Sequence, residues 1–136
     1  MATQDDVRRI ALSLPETVES EDRFGFSVRN GGRLKGFVWV WLERLELKKA
    51  RVPNPEVLAV RVKNLDEKDI VLSINPAKFF TEPHYNDFPA VLVRLASVEP
   101  SELEALIVNA WCCQAPKALL NSSGLAERSA SLFGAP

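Results

Sequence analysis

The sequence predicts an α+β fold: a two-layer domain in which N-terminal and C-terminal helices pack on a mostly antiparallel sheet. Three observations carry this expectation. Apolar residues recur at helical spacing near both ends of the chain, β-rich runs separated by turn residues fill the middle, and nothing repeats or gathers a second core. A chain of 136 residues with 46% apolar and 26% charged side chains has the make-up of one soluble globular domain. Residues 1–121 are read as that domain, and residues 122–136, "SSGLAERSASLFGAP", as a flexible tail of small and polar residues.

Thr3 followed by Asp6 has the form of an N-cap with an acid in the first turn. Val7, Ile10, Ala11 and Leu14 then share one face up to Pro15, predicting a helix over about residues 3–14. The polar "ETVESEDRFG" that follows is expected to be a loop. In "FSVRNGGRLKGFVWVWL" two β-rich runs flank Asn30-Gly31, a dipeptide that accepts the positive φ of a tight turn, so a hairpin is expected with strands near 24–29 and 33–42. A period of two puts Phe37, Trp39 and Trp41 on one face of the second strand and Val38, Val40 and Leu42 on the other. A strand apolar on both faces has two uses. Either it is central and its tryptophans are core, or one face packs inward while the other lines an aromatic cleft flanked by Lys35 and Arg61.

"ERLELKKARVPNPE" carries charge and two prolines and reads as a loop or ragged extension, whereas "VLAVRVKN" reads as a strand. Asn64 with Glu67 forms a capping-box pattern. Leu65, Ile70, Val71 and Ile74 supply the apolar side of a short helix over about 65–73, which Asn75-Pro76 stops. "KFF" is expected as a brief strand and "AVLVRLA" as a fuller one. Ser101 with Glu104 opens the last helix, whose stripe of Leu103, Leu106, Ile107, Ala110 and Trp111 faces the core until Pro116 breaks or restarts it.

Net charge is −1, which argues against a protein whose main business is coating nucleic acid, but residues 29–63 hold nine basic side chains against three acidic. That excess is either a clustered basic face or the solvated, aggregation-resistant edge of a sheet. No apolar run is long enough to span a membrane, and the N-terminus carries acids where a signal peptide needs a basic start, so a cytoplasmic protein is expected. Cys112 and Cys113 are adjacent and make neither a CxxC motif nor a disulfide framework, so they read as small core or interface residues. With one histidine beside them, a metal site is not expected, and no cofactor is implied.

The chain contains no P-loop string, no GxGxxG and no GxSxG elbow. Its single histidine, His84, lies in "EPHYNDFPAVLVRL" and is the one candidate general base, with Asp87, Tyr85 or Cys113 as conceivable neighbours. A histidine in a proline-bounded loop reads first as a turn residue, and here as one at the rim of a binding face, where imidazole and the Tyr85 phenol both stack and hydrogen bond.

"ALSLPE" closing the first helix, "NGG" leading into "FVWVWL", "KFFTEPHYNDFPAVLVRL" and "LEALIVNAWCCQAPKALL" together resemble the MmcQ/YjbR family over about residues 3–120. Those are small bacterial domains described as carrying a double-wing, DNA-binding-like fold. The family's His, aromatic and Asn before the late strand are matched by His84, Tyr85 and Asn86. The resemblance implies no catalytic residue set. The expectation is therefore a non-enzymatic binding domain with DNA as candidate partner: Arg33, Lys35, Lys48, Lys49, Arg51 and Arg61 on phosphates, Trp39, Trp41 and Tyr85 for stacking, and His84 and Asn86 at the rim. The alternative is a protein or small-ligand interaction module in which the aromatic strand face and the "EPHYNDF" loop form a cleft. An enzyme using His84 as a base is a third reading.

Overall fold

The computed structural model describes residues 1–46 and 48–126. In chain order these form α1 (Gln4–Leu12), β1 (Thr17–Glu19), β2 (Gly25–Asn30), β3 (Arg33–Glu43), β4 (Val52–Arg61), α2 (Leu65–Ile74), β5 (Phe79–Phe80), β6 (Ala90–Arg94), α3 (Pro100–Gln114) and α4 (Lys117–Ser123), with 3₁₀ turns at Pro83–Tyr85 and Leu95–Ser97. The six strands make one sheet in the order β1-β2-β3-β4-β6-β5, and every neighbouring pair is antiparallel. The α+β architecture is thus as expected.

The helices pack their apolar residues against one face of the sheet. Val7, Ile10 and Ala11 of α1, Val71 of α2, and Leu103, Leu106, Ile107, Ala110 and Trp111 of α3 meet Phe26, Val28, Phe37, Val38, Leu58, Val60, Val91 and Val93 of the sheet, with Leu119 and Leu120 of α4 packed at the margin. The Trp111 indole N–H donates to the Pro15 carbonyl at 3.0 Å and so ties α3 to the end of α1. On the opposite face Val57, Ala59 and Leu92 form a smaller cluster under Trp39, Trp41, Phe80 and Tyr85, and no helix among the described residues covers them. None of these helices is long and apolar enough to cross a membrane.

The caps at Thr3 and Asn64 form as their side chains require: Asp6 and Glu67 donate their amides to the Thr3 and Asn64 side-chain oxygens. Elsewhere non-local forces shift the outcome. The supposed loop after α1 contains β1, an edge strand held by pairing Thr17–Glu19 against Phe26–Val28, with the Arg8–Glu19 ion pair at 3.1 Å beside it. β4 starts at Val52, inside the segment read as loop. It tolerates Pro53 because residues 52–54 pair with β3 alone, β6 joining only at Val57, so one side of the strand needs no N–H donors. The last helix begins at Pro100 rather than after Ser101: Glu99 offers its N–H to the Glu102 carboxylate at 3.1 Å, and proline suits the first helical position. Of the apolar side expected for α2, Val71 is buried as read but Leu65, Ile70 and Ile74 are exposed, and Lys68 is buried beside Val71 instead. The tail starts later than Ser122, since α4 runs to Ser123, Gly124 ends it with φ 72°, and Leu125 is buried; residues 127–136 of that tail lie outside the described residues.

A β-bulge changes the face assignment in β3. Phe26 pairs with Val38 but Ser27 pairs with Gly36, so Phe37 is an extra residue. Phe37 therefore joins Val38 in the helix-side core, while Trp39 and Trp41 keep the other face, which corrects the reading that put all three aromatics together. Further along, Val40 pairs with Leu58 and Trp41 with Asn54, so Pro55, Glu56 and Val57 have no partner on β3, although Val57 stays in the sheet opposite Arg94 of β6.

Cys112 and Cys113 are partly buried on α3, and no disulfide joins them. Burial, reinforced by Glu67 and Cys112, pushes the Cys113 thiol from 9.0 up to about 12. Since the folded value is the higher, the stability held by the neutral thiol is intact below pH 9 and is lost as pH climbs toward 12. At pH 9 such a thiol is ionised in roughly one molecule per thousand, against about half for an unshifted one. Iodoacetamide at that pH is expected to label Cys113 at least about a hundredfold more slowly in folded protein than in concentrated urea; equal rates would contradict this burial.

Candidate functional site

The helix-free face takes its shape from two elements. The β3 bulge aims Trp39 and Trp41 at it, and the connection between β5 and β6, residues 81–89, folds over it through the 3₁₀ turn that Pro83 initiates. The two meet at a hydrogen bond from Trp39 Nε1 to Tyr85 Oη of 3.1 Å. Ring contacts extend from there: Trp39–Phe88 at 6.2 Å, Tyr85–Phe88 at 6.1 Å and His84–Tyr85 at 5.8 Å, all edge to face, the favoured geometry for ring quadrupoles. Trp39, His84, Tyr85 and Phe88 wall a cavity of about 390 Å³. Beside it Trp41 meets Phe80 at 5.5 Å. Two guanidiniums lie on this aromatic surface, Arg61 at 5.0 Å over Phe88 and Arg94 at 4.0 Å over Phe80.

The overlying loop is fastened from beneath by Lys68, which is 2% exposed and reaches out of α2. Its ammonium donates to the backbone carbonyls of Tyr85 and, at 2.8 Å, of Phe88. Burial holds its pKa below the ordinary 10.5, an effect that Asp69 and Asp87 partly offset. Tyr85 N–H to the Glu82 carbonyl at 2.8 Å and Phe88 N–H to the Tyr85 carbonyl at 3.0 Å complete the loop. Among the described residues, the buried side-chain atoms left without a hydrogen-bond partner are Trp41 Nε1, Arg61 Nε and Glu82 Oε1, and all belong to the strands and loop that build this face.

The sequence-predicted residues divide. Trp39, His84 and Tyr85 come together at the cavity, Trp41 lies beside them, and both tryptophans are half-buried rather than core. Arg61 joins the same face. Of the remaining cations, Arg51 reaches the edge of this face at Glu82 and the others do not converge there. Arg33 closes the hairpin at one end of β3, and Lys35 stands opposite Val28, a helix-side core residue, because the Phe37 bulge moves it off the Trp39 face. Lys48 and Lys49 are exposed in the connection at the other end of β3, Lys49 pairing with Glu46 at 3.6 Å. Arg51 is half-buried, donating to the Leu42 carbonyl at 3.0 Å and facing Glu82 at 3.8 Å. The single basic patch expected from sequence is therefore not formed. Asn86 lies outside the cavity wall, where its Oδ1 accepts from Thr81 Oγ1 at 3.4 Å and braces the loop. His84 contacts the Tyr85 ring and makes no hydrogen bond or ion pair with Asp87 or Cys113. No group of three or more His, Cys, Asp or Glu among the described residues is placed to hold a metal ion.

Comparison with known proteins adds one decisive match, that of the YjbR family model over residues 12–113, three quarters of the chain. The chain belongs to the YjbR family. The matched YjbR span contains every residue of the aromatic face, from Trp39 to Arg94. The relatives include the uncharacterized proteins Mb2600 of Mycobacterium bovis and Rv2570 of Mycobacterium tuberculosis, each 38% identical over 128 residues, covering 90% of this chain and 95% of the relative. The YjbR architecture is shared with the crystal structure of Deinococcus radiodurans protein DR2400, a domain of family DUF419, at a TM-score of 0.60 and 18% identity over all of this chain and 91% of that one; at that identity the likeness shows the fold.

Within this YjbR domain, sequence reasoning missed Phe80, Phe88, Arg94 and Lys68. Phe88 was within reach, standing in the quoted loop as an aromatic between Asp87 and Pro89. Phe80 and Arg94 follow only once β5 and β6 are paired, Phe80 opposite Leu92. Lys68 gives no sequence signal, since a lysine in an Asp- and Glu-rich first turn reads as solvated.

Proposed function

We propose that this YjbR domain is a non-enzymatic binding module whose ligand site is the aromatic face centred on Trp39, Tyr85 and Phe88. What supports this reading is the cavity itself: about 390 Å³ walled by four aromatic side chains, with the Trp39–Tyr85 hydrogen bond and the Lys68 fastening fixing the wall before any ligand arrives. Its ligand is a planar or apolar group, carried by a small molecule or by a protein segment. The spread of the cations to both ends of β3 favours recognition led by ring contact over recognition led by phosphate. A second reading, single-stranded nucleic acid, is favoured by Arg61 and Arg94 lying on Phe88 and Phe80, a pairing of cation and ring suited to stacking bases.

Titration of isotope-labelled protein with indole, a planar probe, is expected to shift the Trp39 indole N–H resonance and to lose that response in Tyr85→Ala. Absence of any shift near Trp39 at millimolar probe overturns the reading. An oligothymidine strand separates the second one: binding that falls steeply with salt supports it, and no retention at low salt removes it.

A further inference from the structure

Where Pro55, Glu56 and Val57 lose their pairing with β3, the same face has a second hollow of about 400 Å³, with Trp41, Phe80 and Val57 as apolar wall and Arg94, Glu43, Glu56 and Asn54 as its charged and polar lining. The charges are arranged unusually. Arg94 meets no carboxylate among the described residues, and its side-chain partner is the Phe80 ring. Glu56 likewise has no ion-pair partner, and the Glu43 carboxylate accepts from Asn54 Nδ2 at 3.0 Å, which fixes its direction. Opposite charges that share one hollow and do not bond each other are separated by a space that a ligand can bridge. A simple anion there would face two carboxylates, and a simple cation would face a guanidinium. A molecule carrying both signs uses all three.

We infer that this hollow binds a small zwitterion of the α-amino-acid type, its carboxylate on Arg94, its ammonium on Glu43 and Glu56, and its apolar side chain against Trp41 and Phe80. Charge-assisted hydrogen bonds at both ends set the specificity, and the hollow's size is at the small end of ligand pockets. The site is separate from the Trp39 cavity and does not depend on what fills it.

The test follows the Trp41 indole N–H resonance during titration with L-leucine, leucine amide and N-acetyl-leucine. Leucine is expected to shift that resonance at millimolar concentration, and each blocked derivative, lacking one charge, to bind about tenfold or more weakly. Arg94→Gln and Glu56→Gln change exposed side chains, so both are expected to fold and to weaken leucine by a similar factor. No shift at Trp41, or equal binding of the three compounds, overturns the inference. If indole still shifts Trp39 in that sample, the proposed binding function stands and only the zwitterion site falls.

Discussion

Lys68→Ala is expected to lower the unfolding free energy by about 2–4 kcal/mol and to release the loop that carries His84, Tyr85 and Phe88. The substitution removes the ammonium that the Tyr85 and Phe88 carbonyls share, leaving each with a single backbone donor, the Phe88 and Ala90 N–H groups. Each hydrogen bond lost to the charged ammonium is worth about 1.5–3 kcal/mol, from which the relief of desolvating that ammonium is subtracted. Lys68→Met keeps the aliphatic stem and should cost about half as much, since the cavity term is absent. Urea unfolding of the three proteins gives the energies, and amide exchange over residues 83–89 shows whether the loop opens first. A variant as stable as the parent, with Trp39 and Tyr85 resonances unmoved, would show that the loop holds its own shape. The pH dependence has a definite sign. The folded pKa of Lys68 lies below 10.5, so the cost of burying its charge is present at neutral pH and eases as pH rises through the lowered value toward 10.5. The neutral amine retains two N–H groups, enough for both carbonyls. Relative to Lys68→Met, the parent should therefore gain stability across that alkaline range.

Trp111→Ala should be the more damaging change, at about 3–5 kcal/mol, because it empties the largest fully buried side chain and takes from the Pro15 carbonyl its 3.0 Å indole donor, leaving only Thr17 Oγ1 at 3.4 Å. Domains of this kind are stable by only about 5–15 kcal/mol, so a measurable unfolded fraction at physiological temperature is the expected outcome. Trp111→Phe fills most of the space but lacks the N–H, and should cost about 1–2 kcal/mol, the share of the single hydrogen bond plus a small void. A phenylalanine variant as damaging as the alanine one would mean that the hydrogen bond, not volume, fixes α3 against α1.

What could be read from the residues alone follows a physical divide. The Thr3 and Asn64 caps are settled by atoms within a few residues of each other and form as read, while the hairpin turn falls one residue later than read, on Gly31-Gly32 with φ 59° and 82°, because Asn30 pairs with Arg33. The Phe37 bulge is settled by how β2 registers against β3, and no period count along β3 reveals it. From that one register shift follow the burial of Phe37, the removal of Lys35 from the aromatic face and the half-exposure of the tryptophans. The basic stretch fails as a surface for a related reason: β3 is 11 residues long, about 36 Å of extended chain, so Arg33 and Lys49 are near in sequence and far apart in space. The aromatic cleft was legible as an alternative because Trp39 and Trp41 alternate with valines, whereas the loop's contribution required knowing that it folds back over them.

The sheet ends in strands of three residues on one side and two on the other, β1 and β5. Unpaired backbone groups at a sheet border are what an incoming chain uses to add itself and begin a fibril, and borders this brief offer it very little ladder. Concentrated solutions of this domain should accordingly resist cross-β growth, and any self-assembly has to be negotiated between side chains.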